Sequence, residues 1–445
     1  MKSIIAKRPV IGVALVLLLA LSCWSLILPS KADAASQTDI DAALAAGAAY
    51  LAAQQHASGA WQASRYVGTT GLAVATLAHY AEHLGQNPLN PAYNYSSHIQ
   101  AGLDYIFSPT SAQPIRRNAA AGRVWWGGTP ETSGDNYVWG PAIMAIAMSG
   151  VPNNIVDVAG SAVQNMTYQQ VVEEALNYID LAQIKTGNGI GAWDYTGQST
   201  TGDASTAGWV TLGLGYANSR FSLAIPPDIL DKLDLGIDVI QWTEAPVDEG
   251  CYGGAGYRSN TAPPYNSWIN SYKVGHLLYM MGLVGDTTAT PRVQWSLGFL
   301  ERHWNDLSSG QNSNSGCPAP GWRGNPQSLM PSYIGTVAMM KGLVKLGIDS
   351  VGTYDWFDEF SDVIVDNQNA DGSWTQGGYP PSYPNMLPTT WAMLTLLKAV
   401  PEPPTPSVGG SAYASNKLLL LAPWIALAVV IAAGGVYLVR RRANS

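Results

Sequence analysis

Six acidic side chains lie in loops between apolar segments, where two carboxylates flanking an aromatic cleft could cleave a glycosidic bond. Two of them, Asp135 and Asp203, follow a glycine and precede an apolar segment, which is the position of a helix N-cap. We therefore expect capping from these two, and we keep them with Asp194 as candidate acids at the rim of a binding site. The full set is Asp135, Asp194, Asp203, Asp248, Glu249 and Asp371.

The histidines are scattered along the chain. His276 lies in an apolar stretch, where it either faces a central cavity or is a satisfied core residue. His79 and His83 fall together on one helix. A zinc site needs a full set of protein ligands at suitable spacing, and the pattern predicts neither a metal nor a cofactor.

A motif of the form Gln-x-x-x-Gly-x-Trp occurs at 55–61 and again at 368–374, each time followed by a Thr-Thr pair that opens an apolar stretch. Four looser copies lie between these two, each marked by an aromatic residue beside or close to a glycine. The spacing of the markers predicts six repeats of roughly 60 residues over 38–399. The markers are Trp61, Trp126, Trp193, Tyr257, Trp322 and Trp374.

Each repeat combines two kinds of helix, joined by a glycine- and aromatic-rich loop. The first kind is charged on one side and belongs outside, whereas the second is apolar almost all round and belongs in the interior. Twelve alternating helices close naturally into a double ring, which leaves no end repeat exposed. We predict an all-α (α/α)6 toroid over 36–399. Outer helices are predicted at 40–54, 171–181 and 293–304, and inner helices at 141–149, 210–217, 275–283 and 336–346.

The Gln-x-x-x-Gly-x-Trp elements and the stretch 202–210 (Gly-Asp-Ala-Ser-Thr-Ala-Gly-Trp-Val) resemble the repeats of the prenyltransferase and squalene–hopene cyclase superfamily. The resemblance covers nearly the whole body and implies the toroid fold. It leaves the activity open, because terpene cyclases, protein prenyltransferase subunits, corrinoid carriers and thioester domains share that fold.

Each of these activities needs particular residues. Class II cyclases protonate an alkene with an Asp-x-Asp-Asp motif, which does not occur in this sequence. The segment 247–252 is similar to a zinc-binding segment of protein prenyltransferases, but one residue is inserted and the corresponding histidine is missing. Neither Cys251 nor Cys317 stands in a thioester motif. A terpenoid cyclase, a prenyltransferase-type enzyme or a glycan-cleaving enzyme therefore stays an alternative to a binding protein.

Cys251 and Cys317 occupy nearly the same position in adjacent repeats, shortly before the markers Tyr257 and Trp322. Adjacent repeats place these two loops side by side in a ring. In an oxidising compartment this arrangement favours a disulfide, with two free thiols or a metal pair as alternatives.

The N-terminal segment 1–34 has a basic start, an apolar run and the small-x-small site Ala32-Asp33-Ala34, which is the pattern of an export signal. We predict cleavage after Ala34. An uncleaved anchor and lipidation at Cys23 are the alternatives.

The C-terminal segment predicts a membrane anchor. Residues 418–439 are uncharged and long enough to span a bilayer, and the Arg cluster that follows marks the cytoplasmic side. We therefore predict a proline- and glycine-rich linker at 400–416, a transmembrane helix at 417–439 and a cytoplasmic tail at 440–445. The toroid is expected on the extracellular side of the cell membrane, on a single-pass anchor.

The charge of the chain excludes some partners. Of its 445 residues 12% are charged, the net charge is −8, and basic residues concentrate at the two ends. An acidic body argues against nucleic acid as a partner.

The second helices of the repeats begin with aromatic residues, and their positive N-termini converge on one rim. An aromatic mouth with backbone donors suits a bulky, partly apolar ligand such as a lipid, an isoprenoid or a corrinoid-like molecule. A peptide or glycan ligand and a structural or adhesive role remain open. The predicted ligand-binding residues are Tyr137, Trp139, Trp209, Trp268, Tyr272, His276, Tyr333 and Trp391.

Overall fold

The computed structural model describes residues 34–401, apart from 62–64, 130, 198–199, 244–249, 259–268, 308–320, 325–330 and 378–383. The described residues belong to the first of two compact units, Met1–Pro404, and the second unit, Thr405–Ser445, lies outside them. Within the described part the chain forms twelve α-helices. Six of them expose one side: α1 Gln37–Ala53, α3 Ser96–Phe107, α5 Tyr168–Ala182, α7 Pro227–Ile240, α9 Pro291–Arg302 and α11 Trp356–Asp366. The other six are buried along nearly their whole length: α2 Tyr66–His83, α4 Asn136–Met148, α6 Ala204–Phe221, α8 Ser271–Val284, α10 Tyr333–Lys345 and α12 Met386–Leu396.

The buried helices form a closed inner ring. Each packs against the next in chain order, and α12 packs against α2. The partly exposed helices surround them, and α11 contacts α1 where the last repeat meets the first. The predicted toroid of outer and inner helices is confirmed, and closure covers the apolar ends that an open stack would expose.

Small residues let the inner helices approach closely. A Cβ atom on Gly140 of α4 would lie 1.9 Å from the carbonyl oxygen of Trp209 on α6. One on Gly275 of α8 would lie 2.3 Å from the amide nitrogen of Met339 on α10. The backbones of neighbouring inner helices are therefore in direct contact, which keeps the ring narrow.

Four of the six marker aromatics fasten the loop to the preceding outer helix. Each indole Nε1 donates to a backbone carbonyl near the end of that helix, at 2.6 to 2.9 Å. Trp322 packs against Trp304 and Phe360 instead. These five markers therefore have a packing role in the folded body. The indole bonds are Trp61 to Leu51, Trp126 to Ile106, Trp193 to Ile179 and Trp374 to Ile364.

The glutamine of the motif joins neighbouring repeats. Gln55 Nε2 donates to Gly59 O of its own loop and to His98 O in α3, both at 2.9 Å. In the last repeat, Gln368 Nε2 donates to Gly372 O at 3.0 Å and to Ala43 O in α1 at 2.9 Å. The same contact that links two consecutive repeats therefore also closes the ring.

Several inner helices begin earlier than the pattern predicts. Because Asp135 caps α4, the helix starts at Asn136 and Pro141 lies inside it. Asp203 likewise starts α6 at Ala204. Two hairpins were not predicted: β1 Ile115–Asn118 with β2 Arg123–Trp126, and β3 Ser350–Val351 with β4 Tyr354–Asp355.

No helix in the described ranges has both the length and the apolar character needed to cross a membrane. The predicted transmembrane helix at 417–439, the tail, the linker beyond residue 401, and all of the predicted export signal except Ala34 lie outside those ranges. They stay predictions.

Candidate functional site

The predicted caps are present at the mouth of the ring. Asp135 accepts a hydrogen bond from the backbone N–H of Tyr137 at 3.2 Å, and Asp203 accepts one from Thr206 at 2.7 Å. Both carboxylates thus satisfy donors at the start of inner helices. The third candidate acid, Asp194, accepts from the backbone N–H of Tyr195 at 2.8 Å.

Arg65 stands at the N-cap position of α2 and links several side chains of the mouth, although arginine is not a typical capping residue. It precedes α2 with a left-handed backbone, φ 53°, which a side chain other than glycine adopts at a cost of about 1 kcal/mol. Its Nε donates to both carboxylate oxygens of Asp135 at 3.0 Å, and its guanidinium lies 4.8 Å from the Tyr137 ring centre. Burial raises the pKa of Asp135, and the charge of Arg65 opposes this shift.

Three tyrosines line the same mouth. The rings of Tyr137 and Tyr195 stack at 5.3 Å, and the hydroxyls of Tyr195 and Tyr257 are 2.5 Å apart. Since Ser205 donates to Asp203 at 2.5 Å, Tyr137 is the donor in its contact with Ser205. The mouth is therefore lined by aromatic rings whose hydroxyl groups also form hydrogen bonds with neighbouring side chains.

These tyrosines are neutral at physiological pH. Burial raises the pKa of Tyr137 well above its ordinary value. Burial and the charge of Asp203 raise the pKa of Tyr195 and Tyr257. A phenol whose pKa is raised cannot serve as a base near pH 7, so the group suits binding better than proton abstraction.

Deeper in the ring lies a second group, the interior cluster, formed by Trp209, Tyr216, Lys273, His276 and Lys341. His276 meets the edge of the Trp209 ring at 5.5 Å, and neither of its ring nitrogens has a hydrogen-bond partner in the described structure. Burial, with the nearby charges of Lys341 and Lys273, lowers the pKa of His276 to about 3. The imidazole is therefore neutral.

Lys341 extends from α10 past α8 to α6. Its Nζ lies 5.7 Å from the ring centres of both Trp209 and Tyr216, so its side chain lies inside the inner ring. Its Nζ has no hydrogen-bond partner within the described ranges, and burial lowers its pKa to about 7. Burial also lowers the pKa of Lys273 to about 7, although the charge of Asp203 opposes that shift.

The opposite end of the ring is covered by the chain that follows α12. Tyr216 donates to the carbonyl oxygen of Ala399 at 3.3 Å, and Pro401 lies beside Gly215 on the same helix. Because α6 stands opposite α12 in the ring order, residues 399–401 cross this end. A ligand of the interior cluster would therefore enter by the mouth.

The predicted ligand-binding residues separate into groups. Tyr137 lies at the mouth, and Tyr272 and Trp209 both contact His276. Trp139 instead packs 4.3 Å from Tyr178 of α5, between the inner and outer helices. Tyr333 and Trp391 are buried, and Trp268 lies outside the described residues.

Sequence reasoning missed the two lysines. Lys341 stands in the middle of the apolar stretch Tyr333–Lys345, and a charged residue in a helix buried all round is unusual enough to mark a site. The same signal drew attention to His276. Arg65 and Tyr195 gave no comparable signal, because their roles depend on contacts between repeats.

His79 and His83 have the spacing His-x-x-Glu-His, which occurs in some zinc enzymes. The structure separates them: His79 Nε2 bonds with the Tyr216 hydroxyl at 2.7 Å inside the ring, and His83 Nε2 bonds with Asp41 at 3.0 Å on the surface. No group of three or more potential metal ligands occurs in the part of the chain that the structure describes.

Cys251 is disulfide-bonded. Cys317, its predicted partner, lies outside the described residues. The pairing of these two cysteines stays a prediction.

Comparisons with known proteins identify a fold. No family model and no curated protein matches the chain. An α-1,6-mannanase from Salegentibacter is similar at TM-score 0.52 and 9% identity, over 81% of this chain and 99% of that one. A type II terpene cyclase from Scytonema matches at 0.47 and 12%, over 81% and 99%, and a Candida albicans protein geranylgeranyltransferase-I at 0.43 and 12%, over 73% and 83%. The likeness to the mannanase supports the α/α toroid and leaves the activity open.

Proposed function

We propose that this chain is an exported, membrane-anchored toroid that binds a partly apolar ligand inside its ring, with a polar or anionic end of that ligand at Lys341. The observation that carries the proposal is the buried Nζ of Lys341, which lies between two aromatic rings without a hydrogen-bond partner in the described structure.

A buried ammonium without a partner is costly, and the effective penalty reaches several kcal/mol. A protein whose fold alone mattered would keep an apolar residue at this position. An anionic or strongly hydrogen-bonding group of a ligand would offset the penalty and raise the pKa of Lys341. His276 could supply a further contact, since its imidazole is neutral and its nitrogens are unpartnered within the same ranges.

The aromatic residues supply the apolar part of the site. Trp209 lies beside Lys341 and His276, and Tyr137 and Tyr195 stack at the mouth. Such a sequence of aromatic surfaces leading to a few polar atoms is typical of small-molecule sites. A lipid or an isoprenoid with an acidic group fits this description.

Two of the six candidate acids of the catalytic alternative have structural roles, and Asp248 and Glu249 lie outside the described residues. Asp135 is tied to Arg65 and to the start of α4, and Asp203 is tied to the start of α6. We therefore propose binding and not glycan cleavage, although mannanases share the fold.

The proposal is tested on the full chain, produced in an exporting host and extracted from its membranes. Native mass spectrometry followed by solvent extraction should reveal a small molecule at about one per chain. Lys341→Met should lose it, and Lys345→Met, one turn further along α10, should keep it. A folded parent protein that carries no small molecule would contradict the proposal, and a bound peptide or glycan would change the ligand class.

A further inference from the structure

The beginning of the described chain is fastened to the last outer helix. The backbone nitrogen of Ala35 donates to Oδ1 of Asp362 in α11. Ser36, the next residue, caps α1 by accepting from the backbone N–H of Asp39 at 3.2 Å. Ala35 also packs against the apolar core. Residue 35 is therefore held at the seam where the first and last repeats meet.

Asp362 stands on an acidic side of α11. Asp358 and Asp366 lie one turn away on either side, and Glu359 pairs with Arg323 at 2.7 Å. Across the described ranges no basic side chain pairs with Asp358, Asp362 or Asp366. Burial raises the pKa of Asp362. The hydrogen bond from Ala35 opposes this shift, and the neighbouring carboxylates add to it. A neutral amide leaves this negative charge without a counter-charge.

The sequence predicts that the backbone nitrogen of Ala35 becomes positively charged. Ala32-Asp33-Ala34 has the small-x-small form of a signal cleavage site, and the bond after Ala34 is the predicted point of cleavage. Hydrolysis there adds the hydroxyl of water to the carbonyl carbon of Ala34 and a proton to the nitrogen of Ala35. The free amine then takes up a further proton near pH 7, since an α-amino group has a pKa near about 8.

We infer that the 34–35 peptide bond is the processing site and that the α-ammonium of Ala35, once released, forms an ion pair with Asp362 that ties α1 to α11. The nitrogen that now donates as an amide is already in contact with the carboxylate, so the new charge needs no rearrangement of the folded body. The inference rests on the export part of the proposed function, and the ligand has no part in it.

The first test is the N-terminus of the full chain recovered from the membranes of an exporting host. N-terminal sequencing is expected to begin at Ala35, followed by Ser36 and Gln37. A start at Met1 or at any other residue overturns the inference. Protease added to intact cells reports export independently. An exposed body with an uncut leader therefore rejects the processing site alone, and a protected body rejects the export proposal as well.

The second test measures the ion pair in the processed chain. A brief reductive methylation at pH 7 labels free amines, and peptide mass spectrometry quantifies the label on Ala35. An ion pair that raises the α-amine pKa by one unit slows labelling about tenfold. Asp362→Asn should remove this protection, and Asp366→Asn, one turn along the same helix, should leave most of it. Equal labelling of the parent and Asp362→Asn would overturn the pair even where cleavage occurs at Ala35.

Discussion

The loops between the helices and the interior of the ring differ in whether their buried polar atoms have hydrogen-bond partners. In the loops, Trp374 Nε1 and Gln368 Nε2 each find backbone carbonyls, and equivalent bonds recur in other repeats. In the interior, His276 and Lys341 belong to no repeat pattern, and their nitrogens have no partner among the described residues. The repeated loop groups are thus mostly satisfied within the protein, although Trp322 Nε1 has no partner in the described structure, whereas these interior nitrogens are neither repeated nor satisfied.

The polar groups of the two regions contribute to folding stability with opposite signs. Each loop hydrogen bond contributes about 1 kcal/mol to stability. An unpartnered interior ammonium opposes folding until something binds it. A protein that keeps such a group gives up stability for function, which is the usual trade-off at sites that bind.

The largest effect is expected in the loops. A Cβ at Gly372 would lie 2.4 Å from the backbone oxygen of Ala46 in α1, at a φ of 85°. We expect Gly372→Ala to lower the free energy of unfolding by more than about 3 kcal/mol, because backbone strain adds to a contact that cannot relax. Urea denaturation measures the loss. Gly347→Ala is the matched control, since its φ is 68° but nothing lies within 4 Å, and it should lose only about 1 kcal/mol.

The interior should respond in the opposite direction. In ligand-free protein, Lys341→Met is expected to raise the free energy of unfolding by about 2 kcal/mol at pH 7, because a buried charge is replaced by an apolar chain of similar size. Lys345→Met, on the half-exposed end of α10, should change it by less than about 0.5 kcal/mol. Destabilisation by Lys341→Met would show that Nζ has a structural partner and would remove the contrast between the two regions.

A smaller loss is expected where the ring closes. Gln368→Met removes the side-chain donor shared by the carbonyl oxygens of Ala43 and Gly372, which should cost about 1–2 kcal/mol in urea denaturation. Gln37→Met, whose amide bonds with exposed Asp41, serves as the control and should be nearly neutral. If both variants lose the same free energy of unfolding, the bond that closes the ring contributes no more to stability than a surface hydrogen bond.

The buried lysines also predict a slope of the free energy of unfolding with pH. The folded pKa values of Lys273 and Lys341 are lowered to about 7 from 10.5, so between these values the unfolded chain binds more protons than the folded one. Stability should therefore rise from pH 7 toward pH 10, by up to about 1.4 kcal/mol per pH unit for each lysine. Denaturation of ligand-free protein at several pH values measures the slope, and Lys341→Met should reduce it by about half. A flat profile would show that neither lysine is held away from water.

The sequence was most informative where a signal repeats. The Gln-x-x-x-Gly-x-Trp motif and the alternation of charged and apolar helices predicted the closed ring, and Asp135 and Asp203 predicted their caps. These features depend on residues close together in the chain. Lys341 and Arg65 act across repeats, so their partners follow from the ring's geometry and from no local pattern. Trp139 is a case in which a local pattern misled. Its position near the start of α4 predicted that it lines the mouth, but it lies on the side of α4 that faces Tyr178.

The proposed function depends on a ligand that the interior cluster holds through Lys341. The most direct measurement is a high-resolution experimental structure of the full chain, purified from membranes of an exporting host without ligand extraction. We expect density inside the ring that is not protein, lying against Trp209, with one end at about 2.8 Å from Lys341 Nζ, the distance of a charge-assisted hydrogen bond. An interior without such density, with Nζ bonded to protein groups, would contradict it.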